Sequence, residues 1–196
     1  MNDAGGCRGS CGPVVVLDLN GILADVRRKE APRVDGRDPD VVLPNGQKAY
    51  MNPGWRRFVR FVLSIPRVRV VLYTSRLRKN SEPVERLMQP EILMVSAILH
   101  GEQCLPPSGF ERFHPIKSAA AVVREVGCLP SDLIFMDDNP HRIDLGADGG
   151  RDIRVIKIRT YDARAERTLP DNLDDAIAQL RELVACDASK KKHVLW

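Results

Sequence analysis

The sequence predicts an α/β fold in which a parallel sheet carries helices on both faces. Two observations predict it. Short runs of Val, Ile and Leu, as in Val14–Leu17, Val68–Tyr73, Leu133–Met136 and Arg154–Ile158, are those of strands buried on both sides. They alternate with segments of helical periodicity, the pattern of strand–helix–strand units. A third observation concerns function: the first three strands each run into polar chemistry, at Asp18, at Thr74 and Ser75, and at Asp137 and Asp138. Parallel strands present their carboxyl ends at one edge, where open α/β folds bind ligands.

At 196 residues the chain suits one domain with room for a core, and 43% hydrophobic with 29% charged residues is ordinary for a soluble globular protein. The formal net charge of +4 lies in clusters such as Arg27–Lys29, Arg76–Lys79 and Lys190–Lys192, which are solvated faces or a rim for an acidic partner. Only 5% of residues are aromatic, too few for a base-stacking platform, so a nucleic-acid partner is not expected. No apolar run approaches the roughly eighteen residues of a membrane span, and MNDAGGCRGSCG lacks the apolar core of a signal peptide. The expected setting is intracellular, cytoplasmic or nuclear, with no membrane partner. The five cysteines, Cys7, Cys11, Cys104, Cys128 and Cys186, are scattered and odd in number, which does not describe a disulfide framework. Cys7 and Cys11 lack a second Cys/His pair to complete a zinc site.

In chain order, the Gly-rich residues 1–12 read as a disordered tail, residues 13–186 as the folded domain and residues 187–196 as a basic tail. The first strand spans Val14–Leu19. Residues 24–47, with Pro32, Pro39, Pro44 and the Asn45–Gly46 turn pair, read as a small insertion in which Val41–Leu43 is one arm of a hairpin. After Pro53, Trp55, Phe58, Val59, Val62 and Leu63 recur at helical spacing up to Pro66. Ser81, Glu82 and Pro83 resemble a helix start, with Val84, Leu87 and Met88 facing inward. Residues 92–113 are broken by the Pro106–Gly109 turn cluster and fit short strands or a second insertion. Pro115–Val126 reads as a helix on Ile116, Ala120 and Val123, closed by Gly127, with Lys117 in its first turn. Leu173, Ile177, Leu180 and Val184 define a closing helix after Asp171.

The strand-end residues suit one task together. Asp18, Asp137 and Asp138 at one edge repel one another, and a hard cation relieves that repulsion; Mg²⁺ takes one or two carboxylates together with phosphate oxygens and water. Thr74 and Lys117 supply a hydroxyl and a compact positive charge for a phosphoryl group. With the anionic charge so reduced, Asp18 can attack phosphorus and form an aspartyl-phosphate.

VVVLDLNGIL, AYMNPGWRRFV, VVLYTSRL, HPIKSAA and LIFMDDNP occur in this order with matching spacing across residues 14–185. They resemble the haloacid dehalogenase (HAD) superfamily and, within it, the FCP/SCP-type (NIF-like) phosphatases that act on the carboxy-terminal domain of RNA polymerase II. The resemblance implies a HAD-like Rossmannoid sheet with short inserts and no large cap domain. It implies that Asp18 is the nucleophile, that Asp18, the Asn20 backbone carbonyl, Asp137 and Asp138 hold Mg²⁺, and that Thr74 and Lys117 bind the phosphoryl group, with Lys117 also pairing with Asp137. Ser75 and Arg76 complete the expected substrate-binding set. A site without a lid suits a phosphorylated protein or peptide segment.

Two positions depart from the family pattern. Where the family has an Asp that protonates the leaving oxygen and later activates water, this chain has Asn20, and losing a general acid slows a reaction by about 10² to 10⁴. His100 stands where the phosphatases carry a basic residue in the segment aligned with LHGEQC, which argues against the same phosphoserine substrate. The expectation is a Mg²⁺-dependent phosphomonoesterase with reduced turnover; the alternative is an inactive pseudophosphatase that serves as a phosphate- or protein-binding module. Taken singly, Asn20 reads as a turn residue and Lys117 as an exposed helix residue. His100, His114 and His141 read as surface or capping histidines, and Arg76, Arg78 and Lys79 as a solvated loop or a positive rim.

Overall fold

A computed structural model describes residues 12–29, 34, 37–106, 115–146, 150–165 and 172–192. The expected tail at residues 1–11, the Pro107–Gly109 part of the turn cluster, His114 and Asp171 lie outside them.

The elements in chain order are β1 (Val14–Leu17), β2 (Ala24–Arg27), β3 (Val41–Val42), β4 (Lys48–Met51), α1 (Trp55–Leu63), β5 (Arg69–Tyr73), α2 (Arg78–Leu87), β6 (Ala97–Leu99), β7 (Lys117–Ser118), α3 (Ala119–Val126), β8 (Leu133–Asp137), β9 (Ile143–Asp144), β10 (Arg154–Lys157) and α4 (Asn172–Lys192). β10, β8, β1, β5 and β6 lie side by side in that order, all parallel. The chain builds outward from β1 through β5 to β6, then crosses to β8 and β10 on the other side. The crossover makes the β1/β8 border a topological switch point, the place where α/β sheets open a ligand crevice.

Side-chain alternation assigns the faces. Val15 and Leu17, Val70 and Leu72, and Ile134 and Met136 pack with Trp55, Phe58, Val84 and Leu173, so α1, α2 and α4 share one face. Val14, Val16, Val71, Tyr73, Leu133 and Phe135 pack with Ala119 and Val122 of α3 on the other. The expected parallel sheet with helices on both faces is therefore present.

β2, β4 and β3 form a separate antiparallel sheet, the expected insertion with its hairpin. Asn45 Oδ1 accepts the Gln47 backbone N–H at 3.1 Å, and Gly46 takes the φ of +81° that the turn requires.

Several local expectations need correction. α2 starts at Arg78 rather than Ser81, with Pro83 inside it. The Arg78 backbone N–H donates to the Glu102 carboxylate at 3.1 Å, so the helix start is satisfied from 24 residues away. That register buries Ser81, Val84 and Met88 and leaves Leu87 37% exposed. Lys117 lies in β7, paired with β9 (Lys117 opposite Ile143), instead of in a helical first turn. Ser118 caps α3 by accepting the Ala121 N–H, and Ala120 faces solvent while Ala119, Ala121 and Val122 face the core. β6 adds a fifth strand to the sheet. At the ends, Gly12 is buried against Arg67, where a Cβ would lie 2.4 Å from the Arg67 carbonyl oxygen, so the fold begins inside the expected tail. α4 runs on to Lys192, beyond the expected boundary at residue 186. Among the described residues no helix is long and apolar enough to cross a membrane.

Candidate active site

Register brings two aspartates together. Val16 lies opposite Phe135 and Leu17 opposite Met136, so one step further the parallel chains present Asp18 and Asp137 side by side on the face that carries α3. The Asp18 N–H donates to the Met136 carbonyl at 3.1 Å and holds that last register position. Asp18, Asp137 and Asp138 each place a carboxylate oxygen within 4.8 Å of the others. Lys117 enters from the same face. Its Nζ lies 2.8 Å from Asp18 Oδ1 and 2.6 Å from Asp137 Oδ2, and all three side chains are nearly sealed from solvent.

Three carboxylates against one ammonium leave negative charge uncompensated. Burial pushes the Asp18 carboxyl up to about 7; Lys117 opposes the shift and Asp137 adds to it. Burial also raises Asp138, against a hydrogen bond from Thr160. For Lys117, burial disfavours the charged form, but Asp18 and Asp137 outweigh it and hold its pKa above the ordinary value. The lysine stays charged and the acids compete for protons.

The surrounding backbone is built for this cluster. Gly21 has φ +90°, and a Cβ there would lie 2.2 Å from Asp138 Oδ2. The Tyr161 N–H donates to the Gly21 carbonyl at 2.6 Å, and the Thr160 hydroxyl donates to Asp138 Oδ2 at 2.9 Å, so the segment after β10 steadies both. Asp137 Oδ1 accepts the Asn139 N–H at 2.7 Å, which fixes the turn beyond the strand. Thr160 and Gly21 were not among the sequence candidates. A hydroxyl just beyond the end of the fourth strand, as Thr74 stands beyond the second, was the available signal for Thr160.

Thr74 is 2% exposed, and its N–H donates to the Leu99 carbonyl at 3.0 Å, prolonging the β5–β6 ladder. Its hydroxyl oxygen accepts the Arg76 N–H at 3.2 Å. Ser75 is half-buried, and its carbonyl oxygen would meet a Cβ on Gly101 at 2.7 Å. Arg76 is not part of a solvated loop: Nη1 donates to Gln47 Oε1 at 2.6 Å and Nη2 contacts the Val26 carbonyl at 3.5 Å. Asn20 sits at the mouth of the β1–β2 turn, where Oδ1 accepts the Val26 N–H at 3.0 Å. The turn-residue reading of Asn20 therefore has a physical basis.

His100 is 2% exposed and stands at the N-cap of the Gly101–Gln103 turn, so of the two expectations the capping one holds and the surface one does not; Nε2 lies 2.9 Å from Glu85 Oε1 of α2, and its backbone N–H donates to Gln103 Oε1. His141 is exposed. A cavity of about 480 Å³ lined by Pro130, Leu145, Gly146, Arg151 and Ile153 shares no residue with the carboxylates. It lies before the starts of β8 and β10, at the opposite edge of the sheet.

A parallel α/β sheet whose switch point gathers a strand-end aspartate, a bridging lysine and two further acids is the arrangement that the sequence motifs predict. Across residues 13–194 the chain matches the NLI interacting factor-like phosphatase (NIF) family, and it belongs to that family. Among solved structures it resembles fission yeast RNA polymerase II CTD phosphatase Fcp1 bound to beryllium fluoride, at 11% identity and a TM-score of 0.50 over 92% of this chain and 52% of that one. A second structure of Fcp1, described as an essential RNA polymerase II CTD phosphatase, matches at 15% identity and a TM-score of 0.50 over 88% of this chain and 50% of that one. At these identities the likeness is one of fold, and the chain spans about half the length of the Fcp1 chains it matches. No curated protein matches the sequence.

Proposed function

We propose that this protein is a Mg²⁺-dependent phosphomonoesterase that acts on a phosphorylated protein segment through an aspartyl-phosphate on Asp18, with turnover limited by Asn20. The bridge from Lys117 to both Asp18 and Asp137, beside Asp138, carries the reading. The donor set fits the metal: three carboxylate oxygens gathered within 4.8 Å are hard ligands, and the family resemblance implies that the Asn20 backbone carbonyl would add a fourth. Mg²⁺ held there by Asp18, Asp137 and Asp138 would supply positive charge to offset the negative charge of the phosphoryl oxygens.

The chain's own groups perform the rest. Lys117 holds Asp18 in place and faces the incoming phosphoryl oxygens, and Thr74 offers its hydroxyl to them. Asp18 Oδ attacks phosphorus, the ester P–O bond breaks and the leaving oxygen departs with the bonding pair. Water then attacks the acyl phosphate, releasing inorganic phosphate and restoring the carboxylate. Both steps need a proton relay at the position of Asn20, whose carboxamide can neither donate to an alkoxide as an acid nor take a proton from water. Among the described residues the insert after β1 is a small three-stranded sheet and none forms a lid, which suits a macromolecular phosphoester.

Turnover of an aryl phosphate with and without Mg²⁺, for the parent and for Asp18→Asn, tests this. Metal-dependent release of phosphate that Asp18→Asn abolishes is the expected result. The second reading, a phosphate-binding module without turnover, is favoured by one observation: the Asn20 side chain is already committed to the Val26 N–H. Phosphopeptide binding with no turnover of any phosphomonoester would select it.

A further inference from the structure

Arg76 stands in the field of Asp18, yet both of its hydrogen-bond partners are neutral, and its Nε–H is buried without an acceptor. Among the described residues it forms no ion pair. A guanidinium offers five donors, and one surrounded by neutral oxygens remains available to an anion.

Arg76 is also the inner end of a cationic strip. Gln47, which holds Arg76, follows Gly46, and the Lys29 side chain packs against Gly46. Outward from Arg76 the chain continues through exposed Leu77 to exposed Arg78 and Lys79, whose side chains form no ion pair among the described residues. The one carboxylate shown on this stretch, Glu102, accepts the Arg78 backbone N–H and caps α2.

We propose that this lip reads acidic residues flanking the phosphorylated residue, so that the substrate is an acidic phosphopeptide segment. The inference rests on the phosphoester reading of the site and names its substrate class. Arg76 takes the carboxylate nearest the phosphoryl group, and Lys29, Arg78 and Lys79 steer and hold the flanking acids. Phosphate-only recognition at Thr74 and Lys117 leaves the buried Arg76 Nε–H without an acceptor. Sparse aromatic residues favour a peptide over a nucleic-acid strand, which binds through stacking as well as charge.

The test uses two fluorescent phosphotyrosine peptides, whose aryl leaving group does not depend on a proton from Asn20, identical except that the residues flanking the phosphotyrosine are Glu in one and Gln in the other. Binding is read by anisotropy on Asp18→Asn, which cannot form the covalent adduct, and kcat/KM is read on the parent. The acidic peptide should be preferred by about tenfold at low salt, with the preference shrinking as salt is added. Arg78→Glu with Lys79→Glu should raise KM for the acidic peptide and reverse the preference, and Arg76→Gln should reduce it while Arg76→Lys keeps part of it. Equal affinity and equal kcat/KM for the two peptides would overturn the proposal even if an aryl phosphate is hydrolysed. Tighter binding of a single-stranded RNA of equal charge would also overturn it. If no phosphomonoester is hydrolysed, the enzymatic reading fails, and the anisotropy comparison still decides the docking surface.

Discussion

Gly21 and Asp138 are in such close contact that a single methyl group on the glycine would lie 2.2 Å from the carboxylate oxygen of the aspartate. The turn after β1 and the turn after β8 are thereby locked together, and Asp138 keeps the position in which it meets Asp18 and Asp137. Gly21→Ala combines this clash with a φ of +90° that an L residue rarely adopts. Such strain destabilises by roughly 1 to 3 kcal/mol. The expected result is a lower melting temperature together with loss of Mg²⁺-dependent stabilisation. Gly46→Ala is the control: its φ of +81° is also strained, but its close neighbour is the flexible Lys29 side chain, so Mg²⁺ stabilisation should persist. Equal Mg²⁺ responses in the two variants would remove the special role of Gly21.

Removing the ammonium from the centre of the cluster should be more damaging. Lys117→Met deletes the only cation among the described residues within hydrogen-bond reach of Asp18 and Asp137 and leaves two buried carboxylates without it. Breaking a buried ion pair from one side destabilises by about 3 to 5 kcal/mol. Chemical denaturation should show that loss without metal and a partial recovery with Mg²⁺, which substitutes for the missing charge. An unchanged midpoint would mean that the bridge contributes nothing to the fold.

How far the sequence reveals this arrangement depends on whether the determining contact is local. β1, β5, β8, β10, α1 and α4 were readable because continuous apolar runs and helical periodicity are properties of adjacent residues. The convergence of Asp18, Asp137 and Asp138 was readable too, since parallel strands share one carboxyl edge. The start of α2 was hidden because Glu102 satisfies it from across the chain, and Ser81–Pro83 imitates a start where none is. Lys117 looked helical because the two-residue β7 is defined by its pairing with β9 rather than by its own sequence. Arg76 looked like a loop residue because Gln47 and the Val26 carbonyl, which turn it inward, come from the insertion.

The raised Asp18 carboxyl links stability, pH and metal. In the metal-free protein Asp18 releases its proton near pH 7, whereas in the unfolded chain it does so near 3.8. Between these values the folded state holds a proton that the unfolded state has lost, so this group makes stability fall as pH rises. Lys117 remains protonated throughout that window and does not reverse the slope. Mg²⁺ competes with the proton for the same carboxylate, so its stabilising effect should grow with pH, being small near about pH 5 and large near about pH 7.5. Melting temperatures in chelator and in millimolar Mg²⁺ across that range check this. A metal effect independent of pH would argue against Asp18 as a ligand.

Asn20→Asp is the most direct test of what the site has lost. The substitution is nearly isosteric, and a carboxylate oxygen can accept the Val26 N–H as the Asn20 Oδ1 does now at 3.0 Å, so the β1–β2 turn should fold as before. The new carboxyl group lies two residues beyond Asp18, where it can hand a proton to the leaving oxygen and then take one from the attacking water. Hydrolysis of an alkyl phosphate should rise by about 10² or more, at the lower end of general-acid contributions. An aryl phosphate should gain less, because a phenolate departs without much help. Any aspartyl-phosphate that builds up on the parent should vanish, since its breakdown is the step in which the base acts. These gains, measured by phosphate release and by acid-trapped phosphoenzyme, would show that Asn20 alone limits an otherwise working centre. A folded, Mg²⁺-binding Asn20→Asp protein without increased turnover on any phosphomonoester would instead leave a pocket that holds phosphate and does not cleave it.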